Sequence, residues 1–103
     1  MTRRVEFSPL AEADLINLYN YIATNSGAVR ADRYIQRIQR LCLGLSEFPE
    51  RGTPRPDLVP GVRTLSMDRR VLVAFTVMED LVLILRILYG GRNLSTADVP
   101  TLH

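Results

Sequence analysis

The sequence contains no lysine and no tryptophan, and it has one cysteine and one histidine among 103 residues. A lone cysteine cannot form an intrachain disulfide, and its place on an apolar helical stripe makes Cys42 a core thiol rather than a nucleophile. The histidine is the last residue, His103, which excludes a Ser-His or Cys-His pair and a histidine metal site inside the fold. We therefore expect neither a metal ion nor a cofactor.

Long hydrophobic runs are also missing. No segment reaches the ~18 uninterrupted apolar residues of a membrane span, because Arg86 interrupts the longest run. The first residues lack the apolar stretch of a signal peptide, so we expect a cytoplasmic protein without a membrane partner. The length suits one domain, predicted to span residues 1–103 with a loosely ordered tail over 93–103.

All thirteen basic residues are arginine, yet the formal net charge is only +2. Uniform arginine usage follows either from a GC-rich genome or from selection for planar, bidentate contacts with carboxylates or phosphates. The small net charge argues against a protein that coats nucleic acid by bulk charge. The pI near 9 suits an acidic partner, and sequence-specific nucleic-acid binding is not expected.

Two apolar runs, Val71–Val77 and Leu81–Tyr89, dominate the sequence and flank an acidic turn. Their β-branched and aliphatic content predicts an antiparallel hairpin. A three-residue connection over 78–80 gives one entirely bulky, apolar face, whereas a two-residue turn would mix the faces. We predict the three-residue connection. The opposite face is then still largely apolar and comprises Leu72, Ala74, Thr76, Val82, Ile84, Arg86 and Leu88.

The preceding chain alternates in residues 3–7, which predicts a short strand, and Ser8 with Pro9 gives a helix start. The apolar spacing then predicts two helices joined by a short link at 25–27, the second continuing to Phe48. Four prolines place 49–61 in a loop, and 62–67 reads as a strand. The order β-α-α-β-β-β predicts an α+β fold, with an antiparallel helical hairpin packed on one face of an antiparallel sheet.

Two groups of arginines are candidate functional residues. Arg63, Arg86 and Arg92 come from the sheet or its exit. Arg86 interrupts an apolar run, so something must solvate it or pair with it, and an acidic side chain of the antitoxin could do so. The second group lies on one side of the second helix and forms either an ordinary solvated face or a docking surface for an acidic partner. This arginine stripe consists of Arg30, Arg33, Arg37 and Arg40.

Five stretches, in their order and spacing, resemble the RelE/ParE superfamily of bacterial type II toxins, and most closely its ParE branch. They are FSPLAEADLINLYNYIA, ADRYIQRI, LSEFPERG, GVRTL and LVLILRILYGGRN. Tyr89 stands where this branch commonly has histidine, and Asn93 where it commonly has aspartate. The resemblance implies a growth-inhibiting toxin of a plasmid stabilisation system, neutralised by a ParD-like antitoxin. It further implies a protein target, DNA gyrase, and no catalytic activity.

The expected binding residues follow from the resemblance and the surplus apolar face. We expect the target to contact Arg63, Tyr89 and Arg92. We expect the antitoxin to cover the outer face of the sheet, with the arginine stripe as its alternative surface. The outer-face residues are Leu72, Ala74, Val82, Ile84, Arg86 and Leu88.

Two other functions remain open. One is a ribosome-dependent mRNA endoribonuclease of the RelE type, which would use Arg63, Arg92 and Tyr89 on the scissile phosphate. The other is a toxin-like remnant kept as a binding module. The missing proton-transfer residue separates the first function from a target-binding toxin, because arginine stays protonated and makes a poor general base.

Overall fold

The computed structural model describes residues 2–90, which fold as an α+β unit, as predicted. Two helices lie against a five-stranded sheet of order β1-β5-β4-β3-β2, in which β1 runs parallel to β5 and the other neighbours are antiparallel. The elements are β1 Arg4–Phe7, α1 Pro9–Ser26, α2 Ala28–Leu43, β2 Thr53–Pro54, β3 Val62–Met67, β4 Val71–Val77 and β5 Leu81–Tyr89. The predicted tail over 93–103 lies outside the described residues.

Helix α1 begins and ends as the sequence predicts. The Ser8 side chain accepts a hydrogen bond from the Ala11 N–H at 3.1 Å, and Pro9 occupies the first turn, where its missing N–H costs nothing. The helix ends at Ser26. Gly27 follows with φ 92°, a conformation that favours glycine, and this single residue links the two helices.

Helix α2 is shorter than predicted. It ends at Leu43 and continues as a single 3-10 turn, so the prediction that it reaches Phe48 is wrong; that side chain is 66% exposed. Arg3 explains the change of direction. Its N–H donates to the Ser46 carbonyl at 3.0 Å, and its carbonyl accepts from the Ser46 hydroxyl. Because these bonds tie Ser46 to the residue before β1, the chain does not continue as a helix.

The β4–β5 hairpin forms, but its connection differs from the prediction. The Met78 N–H donates to the Leu81 carbonyl at 2.7 Å, so only Glu79 and Asp80 turn the chain. Neither residue has a positive φ. The turn therefore needs no Asn-Gly or Asp-Gly pair, and the absence of that sequence signal was misleading.

A β-bulge divides the hairpin into two halves, and only one half keeps the faces that a three-residue connection predicts. Val71 to Ala74 pair with residues 86–89, which keeps the predicted faces in that half. After a shift between Ala74 and Phe75, Phe75 pairs with Ile84 and Val77 with Val82. The bulge moves one residue out of step, so Val82 and Ile84 face the helices instead of the outside. Their predicted place on the outer face is wrong.

Two hydrophobic clusters result, one on each face of the sheet. The helix-facing cluster contains Ala11, Leu18, Ile38, Cys42, Leu45, Val71, Val73, Phe75, Val82, Ile84 and Ile87. The outer cluster contains Leu58, Val62, Ala74, Leu85 and Leu88. The sequence predicts only a connecting loop over 49–61, but Leu58 of this proline-rich loop packs against the sheet. Ala74 and Leu88 are only 1% and 3% exposed. The predicted open apolar patch is therefore absent from this face.

Candidate functional site

Arg86 has its partner inside the chain. It binds Asp14 of α1 in a bidentate ion pair with distances of 2.8 and 3.0 Å, and the two side chains are 15% and 13% exposed. Asp14 also accepts a hydrogen bond from the Ile87 N–H at 2.8 Å. The prediction that Arg86 awaits an external carboxylate is wrong, because the helix supplies one.

This ion pair closes an edge of the sheet. Strand β1 stops at Phe7, so the carboxyl-terminal half of β5 has no neighbouring strand on that side. The start of α1 takes its place: the Ser8 N–H donates to the Ile84 carbonyl and the Ser8 hydroxyl to the Leu85 carbonyl, both at 2.9 Å. Asp14 continues this cover by one helical turn. The sequence carried a signal for it, an acidic residue between the buried Ala11 and Leu18.

The predicted target-binding residues do not converge. Arg63 lies near the start of β3 opposite Phe75, whereas Tyr89 lies in the row of Met67 and Val71. Four residues along a strand correspond to about 13 Å, and strand β4 lies between the two strands. Arg92 lies outside the described residues, so the structure leaves its role a prediction.

Arg63 is engaged in holding the proline-rich loop. Its guanidinium donates to the carbonyls of Arg51 and Glu50 at 3.0 and 3.2 Å. Beside it, Gly52 has φ 75° and approaches the β3 backbone so closely that an added Cβ would collide with the Thr64 carbonyl. These contacts place the short strand β2 within the stretch that its prolines predict to be a loop.

Three tyrosines gather where β5 ends. The Tyr89 ring lies 5.9 Å from the Tyr21 ring and 6.1 Å from that of Tyr34, centroid to centroid. Tyr21, Tyr89 and Asn17 also line a groove of about 400 Å³ between α1 and β5. Burial raises the pKa of the Tyr34 hydroxyl. This hydroxyl is buried and has no hydrogen-bond partner within the described part of the chain.

The arginine stripe is exposed and continues beyond α2. Arg37 forms an ion pair with Asp68 at 2.9 Å, and its guanidinium lies 5.6 Å from the centre of the Tyr34 ring. Asp68 belongs to the turn between β3 and β4, so this ion pair brings Arg69 and Arg70 beside the helix. The sequence does not connect this turn with the stripe, because the two are far apart in the chain and meet through a tertiary contact.

An apolar groove runs along the outer side of the helical hairpin. Leu15, Ile16 and Tyr19 of α1 face Ile35 of α2 across a groove of about 380 Å³, and the Ile16 side chain is 61% exposed. Glu12 and Gln39 complete its lining. Sequence analysis missed this groove because Ile16 lies off the buried stripe of α1, where an isolated exposed apolar residue is ordinary.

The described residues offer little for catalysis. Cys42 is fully buried, as predicted, and burial raises the pKa of its thiol to about 12, so the reactive thiolate is not available near neutral pH. Within residues 2–90 no cluster of acidic, cysteine and histidine side chains has the arrangement of a metal site. No helix in this range is long and apolar enough to cross a membrane.

Solved structures define the class of protein. A chain of the chromosomal ParDE toxin–antitoxin system from P. aeruginosa superposes with a TM-score of 0.75 at 30% identity, over 85% of this chain and 96% of that one. A chain of the RelBE2 toxin–antitoxin complex from Mycobacterium tuberculosis gives 0.64 at 17% identity, over 87% and 100%, and shows the shared fold alone. The class is that of the small α+β toxins of the RelE/ParE superfamily.

Sequence comparison identifies the branch. The model of the ParE toxin of the type II toxin–antitoxin system parDE matches residues 5–94. Toxin ParE3 of Caulobacter vibrioides is 35% identical over 95 residues, which cover 92% of this chain and 93% of that protein. The chain belongs to the ParE toxin family and is a ParE-type toxin of a type II toxin–antitoxin system, as the sequence motifs had implied.

Proposed function

We propose that this toxin inhibits growth by binding a protein target, DNA gyrase, without catalysing a reaction itself. Family membership suggests the target, and one structural observation supports the non-enzymatic mode. Two of the residues that a ribonuclease would need together are apart: Arg63 is about 13 Å or more from the row of Tyr89 and is hydrogen-bonded to loop carbonyls. Within residues 2–90, Arg63 and Tyr89 are therefore not a pair that could exchange protons across a scissile phosphate.

Two parallel reactions test this function. Purified toxin added to a gyrase supercoiling reaction should make cleaved DNA persist, whereas a ribosome-programmed translation reaction should keep its mRNA intact. Tyr89→Ala and Arg92→Ala, at two of the proposed target contacts, should reduce the gyrase effect. Arg55→Ala serves as the control, because Arg55 pairs with Asp57 on the proline-rich loop. Codon-specific mRNA fragments that disappear in Arg92→Ala would instead establish the ribonuclease.

We further propose that a ParD-like antitoxin covers the groove of the helical hairpin. The outer face of the sheet is largely filled from within, and Val82, Ile84 and Arg86 are engaged in the fold. Of the predicted outer-face residues, Leu72 remains the partly exposed apolar one. The groove around Ile16 is the more accessible apolar surface, and an amphipathic helix fits such a groove by placing apolar side chains along it.

Titration with the antitoxin tests this surface. Ile16→Asp should weaken binding by about 2–4 kcal/mol, as expected for a central anchor. Asn25→Asp adds the same charge at an exposed position nine residues further along α1, on the side of the helix opposite Ile16, and should change affinity little. An unchanged affinity in Ile16→Asp, together with a loss in Arg33→Glu, would move the antitoxin to the arginine stripe.

A further inference from the structure

Six arginines from two separate elements form one basic face. Arg30, Arg33, Arg37 and Arg40 advance by three, four and three residues along α2, which confines them to an arc of about 80° and a length of about 15 Å. The ion pair between Arg37 and Asp68 fixes the β3–β4 turn beside them. That turn adds the last two members of the basic face, Arg69 and Arg70.

The arginines of the basic face differ from most other arginines of the chain because few of them have a partner. Asp68 is the carboxylate within the basic face, and it forms an ion pair with Arg37. In the described residues, the side chains of the five other arginines form no ion pair or hydrogen bond. Elsewhere, Arg4, Arg55 and Arg86 have carboxylate partners and Arg3 and Arg63 bind backbone carbonyls, so Arg51 is the one described arginine outside this face whose side chain has neither. The excess positive charge is therefore concentrated on this face, although the whole chain carries only +2.

The turn that carries Arg69 places that residue in a conformation that arginine does not favour. Asp68 and Arg69 have φ values of 55° and 58°, in the left-handed region that glycine, asparagine and aspartate adopt most readily. A non-glycine residue there costs about 1 kcal/mol or more. Glycine would relieve this cost, so replacing Arg69 with glycine removes the guanidinium without straining the turn.

The centre of the basic face lacks the exposed apolar anchors that are typical of a protein interface. Such interfaces have an apolar, often aromatic centre and a polar rim. Here the arrangement is inverted: arginines and Gln36 occupy the middle, and the strongly exposed aliphatic side chains Val29 and Leu43 lie near the two ends. Tyr34 lies below Arg37, with its hydroxyl buried. A partner of this face would therefore present regularly spaced charge rather than apolar side chains.

We propose that the basic face binds the sugar–phosphate backbone of double-stranded DNA without reading its sequence. One strand of the duplex presents a phosphate about every 3.4 Å along the axis, so a stripe of about 15 Å spans roughly four phosphates. The stripe supplies four arginines over that length, and the guanidinium fork matches phosphate oxygens. This binding is additional to the proposed action on a protein target and does not depend on it.

Fluorescence anisotropy with a labelled duplex of unrelated sequence tests the proposal. If about four phosphates are neutralised, the slope of log affinity against log salt should be about −4. Arg33→Gln with Arg40→Gln should weaken binding about tenfold at low salt and make the slope less steep by about 2. The matched control is Arg4→Gln with Arg55→Gln, which removes the same charge far from the basic face and should change affinity less than about twofold.

Arg69→Gly separates binding from folding. Glycine suits the left-handed φ, so the thermal midpoint should stay the same or rise while DNA affinity falls about threefold. Equal losses in the two double variants would overturn the proposal, since bulk charge alone would then explain binding. So would equal affinity for single-stranded RNA, or preference for a polyglutamate peptide of matched charge, which would assign the face to an acidic protein.

Discussion

The two faces of the sheet are buried by different means. On one face, the apolar stripes of α1 and α2 pack against the sheet, and the side chains of Phe75 and Ile84 are fully buried there. On the other, the proline-rich loop adds Leu58, itself 9% exposed, to a smaller cluster with Ala74 and Leu85. The comparison shows that an irregular segment with a single well-placed leucine contributes to covering a sheet face, so apolar composition alone does not identify a partner surface.

The largest effect should come from placing a charge on the helix-facing side. Ile84→Asp buries an unpaired carboxylate among apolar side chains, which costs several kcal/mol and approaches the roughly 5–15 kcal/mol that stabilise a domain. We expect loss of the folded helices by circular dichroism. Leu72→Asp, on the partly exposed outer margin, is the control and should remain folded. If Ile84→Asp remains folded, Ile84 lies on the outer face and the hairpin has the predicted register without a bulge.

The second largest effect concerns the ion pair at the edge of β5. Arg86→Ala leaves the Asp14 carboxylate mostly buried with only the Ile87 N–H among the contacts described above, and should cost about 3–5 kcal/mol of unfolding free energy in denaturant titrations. Asp14→Leu combined with Arg86→Leu removes both charges and should cost clearly less. If the double variant is as unstable as the sum of the single variants, the pair is not coupled.

Paired truncations compare the two faces directly. Ile38→Ala on the helix-facing side should cost about 3–4 kcal/mol, since a fully buried side chain leaves a closed cavity. Leu58→Ala should cost about 2 kcal/mol, because it lies at a margin that can collapse. Chemical denaturation measures both. Equal costs would mean that the loop packs as rigidly as the helices.

The smallest effect appears only at alkaline pH. The Cys42 thiol has an ordinary pKa of 9.0 in the unfolded chain and one of about 12 when buried. Below pH 9 both states are protonated; between these values only the unfolded chain loses its proton, so stability falls as pH rises, by at most about 1.4 kcal/mol per pH unit. Cys42→Val should remove this component of the slope, cost about 1–2 kcal/mol at neutral pH and leave toxicity intact. An identical alkaline slope in both proteins would contradict this account.

The positions of the regular elements could be predicted because their signals are local. Ser8 with Pro9 starts α1, Gly27 separates the helices, and the run from Val62 to Met67 forms a strand with the predicted bounds. Each of these follows from capping, glycine geometry or strand composition over a few residues. The order of elements then gave the α+β class, which the structure confirms.

The candidate surfaces were less predictable, because they depend on residues far apart in the chain. Asp14 reaches Arg86 across 72 positions, and Arg37 reaches the β3–β4 turn through Asp68. The bulge that reverses Val82 and Ile84 has no signal in the apolar run, where every residue suits either face. Pattern arguments fail where both faces of a strand are equally apolar.

The amino-acid sequence alone was enough to predict the two helices, four of the five strands and their order, the buried thiol at Cys42 and the resemblance to the ParE toxins. Capping, spacing and composition act over one or two turns, so they can be read along the chain. Tertiary structure alone decided which face each residue of β5 presents, which carboxylate neutralises Arg86, and that the β3–β4 turn joins the arginine stripe. These depend on a one-residue shift in strand pairing and on contacts between distant segments, which local propensity does not encode.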